Sequence, residues 1–176
     1  GILLYGIILA TLYIILSIMS AIETSHYIKK NSFVNYTKIL ASPFVPTISV
    51  IAPAYNESPT IVENIRSLLS IQYVNYEVLL INDGSTDDSL EKLIEAYALT
   101  KANYTFHQKL PTKKIRAVYK STNPAFKKLL VIDKENGGKA DSLNLGLNIS
   151  RNDLVACIDA DCILEPDALL KMVKPF

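Results

Sequence analysis

Tyr76-Glu77-Val78-Leu79-Leu80-Ile81 runs directly into Asn82-Asp83-Gly84-Ser85-Thr86-Asp87. The first stretch is a short apolar run of strand length, and the second is a cluster of turn-forming and helix-capping residues. Leu90, Leu93, Ile94 and Tyr97 follow at helical spacing, so the segment reads as strand, polar turn, helix. A strand that is apolar on consecutive residues belongs to a sheet covered on both faces, the usual state of parallel sheets.

The same grammar repeats outward in both directions. Thr47 to Ala52 is a β-branched run ended by Pro53, and Ser58-Pro59 then reads as the N-cap and first residue of a helix with Ile61, Ile65, Leu68 and Leu69 on one face. Ile115 to Tyr119, Leu129 to Ile132 and Leu154 to Ile158 are further strand candidates. Gly137-Gly138 precede a helix over Ala140 to Ile149, and Glu165-Pro166-Asp167 open another. Apolar strands alternating with amphipathic helices predict an α/β fold, a mainly parallel sheet with helices on both faces.

Composition divides the chain. Its 176 residues carry 18 Lys and Arg against 17 Asp and Glu, a balance that argues against a nucleic-acid binder. All of that charge lies beyond residue 22. Ile2 to Ile22 is uncharged, and at about 1.5 Å per residue it spans about 31 Å, the thickness of a bilayer's hydrocarbon core. We therefore expect a transmembrane helix over residues 1–22, a juxtamembrane linker over 23–46 and a soluble part over 47–176. His26, Lys29 and Lys30 follow the apolar run with no acid between Glu23 and Glu57, which places the soluble part in the cytoplasm and the anchor in the cell membrane. Two cysteines without a spaced framework point to a reducing compartment, and Cys157 and Cys162 read as buried, reduced thiols. From Ala96 to Ile132 there are eight basic residues and no acid, which reads as a solvated insertion between sheet strands and alternatively as a contact for anionic lipid.

In parallel sheets ligands bind at the carboxyl ends of the strands. Three strands here end in polar clusters: Pro53-Ala54-Tyr55-Asn56-Glu57, Asn82 to Asp87, and Asp159-Ala160-Asp161. Two carboxylates as close as Asp159 and Asp161 repel unless a cation lies between them. An oxygen-only donor set suits Mg²⁺ or Mn²⁺ shared with substrate phosphates. Gly137-Gly138-Lys139 offers backbone N–H groups and a cation at a helix entrance, a candidate phosphate site. Tyr55 can lie against a base and Asp83 can accept hydrogen bonds from a base or ribose. Together these groups describe a site for a nucleoside diphosphate and a metal.

These clusters, with Glu135-Asn136-Gly137-Gly138-Lys139-Ala140-Asp141-Ser142-Leu143-Asn144, resemble the ordered motifs of the family-2 glycosyltransferases, most closely the membrane-embedded polysaccharide synthases that make poly-N-acetylglucosamine, hyaluronan, chitin and cellulose. The resemblance implies the GT-A fold, a nucleotide-diphosphate sugar donor, a glycan or lipid-linked acceptor and an inverting transfer. It implies that Pro53, Tyr55, Glu57, Asp83, Lys139 and Asp159 bind the nucleotide sugar, and that Asp159 and Asp161 bind the metal. The family's acidic base lies downstream of that pair and is expected after Phe176, so the 176 residues are expected to be an incomplete domain that binds donor without turnover. A non-catalytic nucleotide-sugar-binding membrane protein is the alternative. A haloacid-dehalogenase-type phosphatase, which also places Asp-x-Asp after an apolar strand, is a second.

Overall fold

The computed structural model describes residues 1–32 and 45–173. It divides into two units, residues 1–41 and 42–176.

The first unit is one helix, α1 (Ile2–Ser32). Its apolar side chains, among them Leu12, Ile15 and Ile18, are exposed around the whole helix. Ile2–Lys29 is long and apolar enough to cross a membrane, with a mean hydropathy of 2.5 over an 18-residue window. The helix thus continues past Ile22, because no helix breaker interrupts Glu23 to Ser32. The rest of the expected linker, 33–44, and Lys174 to Phe176 lie outside the described residues.

The second unit is an α/β sheet. In chain order it contains β1 (Ile48–Ala54), α2 (Ile61–Leu69), β2 (Tyr76–Asn82), α3 (Ser89–Ala96), β3 (Leu99–Lys101), β4 (Ile115–Ser121), β5 (Leu129–Lys134), α4 (Lys139–Ile149), β6 (Leu154–Cys157) and α5 (Ala168–Val173). Strand order is β3-β4-β5-β2-β1-β6. β5, β2, β1 and β6 are parallel, while β4 and β3 are antiparallel additions at one edge.

Ile51, Leu79, Ile81, Leu130 and Ile132 share one face and pack with Leu145 and Ile149 of α4. Gly146 lets α4 approach β1, since a Cβ there would lie 2.4 Å from Ile51. Residues of the opposite parity, Val50, Ala52, Val78, Leu80 and Val131, are also fully buried, as are Ile61, Ile65 and Leu68 on α2. The sheet is therefore covered on both faces, and each buried aliphatic side chain contributes about 1.5–3 kcal/mol.

Three sequence expectations are corrected. The helix after β1 begins at Ile61, not at Pro59, and its N-cap is Thr60. Ser58 sits in the preceding turn, where its hydroxyl bonds Asp88 and accepts from the Lys92 ammonium at 2.6 Å. The basic stretch is not all insertion: besides the expected strand β4 it supplies β3, with Val118 and Tyr119 buried and Lys101, Arg116 and Lys120 exposed. Cys157 and Cys162 are free thiols as expected, but both are exposed. β6 is an edge strand that buries Ala156 while Val155 and Cys157 stay on its open face, and Cys162 lies in the turn beyond it.

Candidate nucleotide-sugar site

Register brings the polar clusters level. Ala54 pairs with Asn82, and Asn82 pairs with Asp133, so β1, β2 and β5 end side by side. β6 pairs with β1 as far as Cys157, and the Ile158 amide still donates to the Ile51 carbonyl at 3.0 Å. The next residues form a turn, closed by the Cys162 amide on the Asp159 carbonyl at 3.1 Å. Asp159 and Asp161 therefore lie beyond the strand, at the same sheet edge as the other clusters.

A cleft of about 190 Å³ opens there, lined by Pro53, Ala54, Tyr55, Glu57, Asp83 and Lys139. It gathers five of the expected nucleotide-sugar residues, and the sixth, Asp159, joins through its ion pair with Lys139. Tyr55 is exposed, so its ring is free to receive a planar group.

The loops around the cleft brace one another. The Asn56 amide donates to Ser85 Oγ at 3.0 Å, and Asn56 Oδ1 accepts from the Thr86 amide at 2.8 Å. Asn56 has φ +56°, a conformation that asparagine tolerates better than most residues. Asp87 accepts from the Ser58 amide at 3.0 Å and from the Ser89 hydroxyl at 2.6 Å. Burial pushes the Asp87 carboxyl up, but the Ser89 hydroxyl and the Ser58 and Ser89 amides together hold it below the ordinary carboxylate value.

Asp83 is buried at the back of the cleft. It accepts from the Gly137 amide at 3.0 Å, the Gly138 amide at 2.8 Å and the Lys134 ammonium. Burial raises its carboxyl, and the Lys134 hydrogen bond, the two amides and the Lys134 charge outweigh that and leave it lowered. Gly84 makes this approach feasible: its φ is +68°, and a Cβ would lie 2.8 Å from the Asn136 nitrogen. The reading of Gly137 and Gly138 as phosphate donors is thereby corrected, because an internal carboxylate already takes both amides.

Lys139, the first residue of α4, bonds the Asp159 carboxylate, and that contact raises its ammonium pKa. Carboxylate oxygens of Asp159 and Asp161 and the Cys162 thiol lie within 4.8 Å of one another. The two carboxylates fit a hard divalent ion with open positions for phosphate oxygens and water, whereas the thiol matches such an ion poorly.

The sequence reading passed over Lys134. This residue is 0% exposed, and its ammonium reaches Asp83, Asp141 Oδ2 at 2.7 Å and the Glu135 carbonyl at 2.8 Å. The available signal was a lysine closing a strand, Leu129–Lys134, that begins with four apolar residues, just before Gly137-Gly138.

Comparison with known proteins agrees with this layout. The family described as Glycosyl transferase family 2 matches residues 49–120 and 108–176. A poly-beta-1,6-N-acetyl-D-glucosamine synthase of Staphylococcus epidermidis is 32% identical over 133 residues, 75% of this chain and 26% of that protein. The synthase of the same name from Staphylococcus aureus strain COL is 31% identical over 129 residues, 73% of this chain and 25% of its own length. The chain thus spans about a quarter of the curated relatives it matches. Among solved structures, a mannosyltransferase from Pyrobaculum calidifontis in complex with GDP-Man and Mn²⁺ superposes with a TM-score of 0.56 at 24% identity, covering 79% of this chain and 37% of that one. TarS 1–349 of S. aureus in complex with UDP-GlcNAc gives 0.53 at 23% identity, covering 73% and 30%. These likenesses bear out the expected GT-A sheet, and they leave the phosphatase alternative without support. With the family's pattern matched from β1 through the Asp159–Asp161 turn, the chain belongs to glycosyl transferase family 2.

Proposed function

We propose that the chain carries the donor-binding part of a membrane-anchored, inverting glycosyltransferase that transfers a sugar from a nucleotide-diphosphate donor to a growing glycan or lipid-linked acceptor. The observation that carries this reading is the cleft itself, where Tyr55, Glu57, Asp83 and Lys139 meet at the strand ends and Lys139 leads to Asp159. Similarity to the poly-N-acetylglucosamine synthases favours UDP-N-acetylglucosamine as donor and a polysaccharide as product.

In this reading Tyr55 and Glu57 hold the nucleoside, Asp83 accepts from base or ribose, and Lys139 turns from Asp159 to the diphosphate. Asp159 and Asp161 would hold Mg²⁺ or Mn²⁺, which would supply positive charge against the charge that develops on the departing diphosphate. The acceptor hydroxyl attacks the anomeric carbon opposite the diphosphate, the bond from that carbon to the phosphate oxygen breaks, and the hydroxyl proton passes to an acidic base. No base is assigned among the described residues. α1 anchors the domain, with the soluble unit on the cytoplasmic side.

Titration calorimetry with UDP, with and without Mn²⁺, tests the site. Binding is expected to be at least about tenfold tighter with the metal than without it and to weaken at least about tenfold in Asp161→Ala, the loss of one charged ligand to the ion. UDP binding that is equal without metal and in that variant overturns the assignment of the Asp pair.

A further inference from the structure

Lys134 closes β5 from inside the protein. It has no exposed surface, so it cannot touch a ligand in the cleft. Its ammonium has three protons to donate and meets three acceptors: Asp83, Asp141 and the Glu135 carbonyl. Asp141 sits in the first turn of α4 and also accepts the Lys113 amide at 3.0 Å. One buried cation therefore joins the loop after β2, the end of β5, the start of α4 and the segment before β4.

Burying an ammonium costs several kcal/mol of solvation, which only paired and hydrogen-bonded charges recover. Val131 and Ile132 of the same strand are aliphatic and fully buried, and Lys134 is the exception among residues buried to that degree there. The exception falls behind Asp83, the one carboxylate at the back of the cleft. Of that carboxylate, Oδ1 takes the Lys134 ammonium and the Gly137 amide, while Oδ2 takes the Gly138 amide alone. Oδ2 thus retains acceptor capacity on a residue that lines the cleft.

We propose that Lys134 is a positioning residue for donor recognition: it keeps Asp83 ionised in a buried place and turns Oδ2 toward the nucleoside. The inference rests on the nucleotide-sugar reading above. It separates the two ends of the ligand, because Lys134 acts through Asp83 on the nucleoside, while Lys139 and the Asp pair serve the diphosphate.

The test uses the full chain and compares UDP with inorganic pyrophosphate, each with Mn²⁺, by titration calorimetry, alongside thermal melts. In Lys134→Met, UDP affinity is expected to fall about tenfold, the scale of one charge-assisted hydrogen bond, while pyrophosphate affinity holds. Lys134→Arg, which restores the cation, is expected to recover part of the loss. If Lys134→Met does not fold, Lys134→Gln, which keeps a donor without the charge, is read by the same comparison. Equal losses for UDP and pyrophosphate mean general loosening and overturn the proposal, as does unchanged UDP affinity. A wild-type chain that binds pyrophosphate but not UDP overturns the nucleotide reading and this inference with it.

Discussion

The Lys139 ammonium is bonded to the Asp159 carboxylate, joining the first residue of α4 to the turn after β6. A cation from the chain thus holds a carboxylate that the proposed divalent ion needs. Lys139→Met is expected to bind Mn²⁺ more tightly in the absence of nucleotide and to bind UDP more weakly in its presence. Calorimetry of the two ligands separately checks this. A parallel fall in both affinities contradicts the competition.

Gly84 combines a left-handed backbone with close contact to Asn136. Gly84→Ala adds a strained conformation and an overlap with main chain, and is expected to cost about 2 kcal/mol or more. Chemical denaturation measures the loss. An unchanged midpoint would mean that the loop after β2 relaxes without penalty.

Acid stability follows from Asp83 and Asp87, both held below their ordinary carboxylate values. A carboxyl whose folded pKa is depressed contributes stability that is complete above its unfolded value, about 3.9, and is lost as pH falls through the folded value. Thermal melts from pH 6 downward are expected to stay level to about pH 4 and then decline. Asp83→Asn should begin less stable and show a shallower decline. An identical acid slope in that variant excludes Asp83 as a source.

Asn148 of α4 fixes the approach to β4. Its Oδ1 accepts from the Lys109 and Leu110 amides, each at 2.9 Å, and its Nδ2 donates to the Leu110 carbonyl at 2.9 Å. Asn148→Ala leaves these groups without their partner and is expected to cost about 1–3 kcal/mol. Hydrogen exchange should accelerate at Lys109 and Leu110 while Val131 and Ile132 remain protected. Uniform acceleration would point to global destabilisation.

Much of this site is written locally. β1, β2 and β5 are short apolar runs, and the polar residues after each are turn formers, so sequence alone places Tyr55 and Asp83 at strand ends and Lys139 at a helix entrance. β3 has only three residues, with Leu99 alone buried, and pairing with β4 defines it more than any pattern of its own. Ser58 has the sequence of an N-cap, yet contacts with Asp88 and Lys92, some thirty residues away, claim its hydroxyl. The role of Lys134 is hidden for the same reason. A lysine reads as a surface residue until Asp83, 51 positions earlier, is known to lie against it. The use of the Gly137 and Gly138 amides by Asp83 is likewise a tertiary fact.

The two ends of the cleft differ in how far they are already built. Asp83 is buried and held by the buried Lys134 ammonium and two backbone amides, whereas the side chains of Lys139 and Asp159 are 62% and 52% exposed. A ligand meets a finished socket at one end and movable groups at the other. On the proposed nucleotide-sugar reading this difference predicts an order of events: the nucleoside seats first, and the diphosphate, metal and lysine settle around it afterwards. Stopped-flow binding should then show two phases, a concentration-dependent first phase indifferent to Mn²⁺ and a slower unimolecular phase that Mn²⁺ governs.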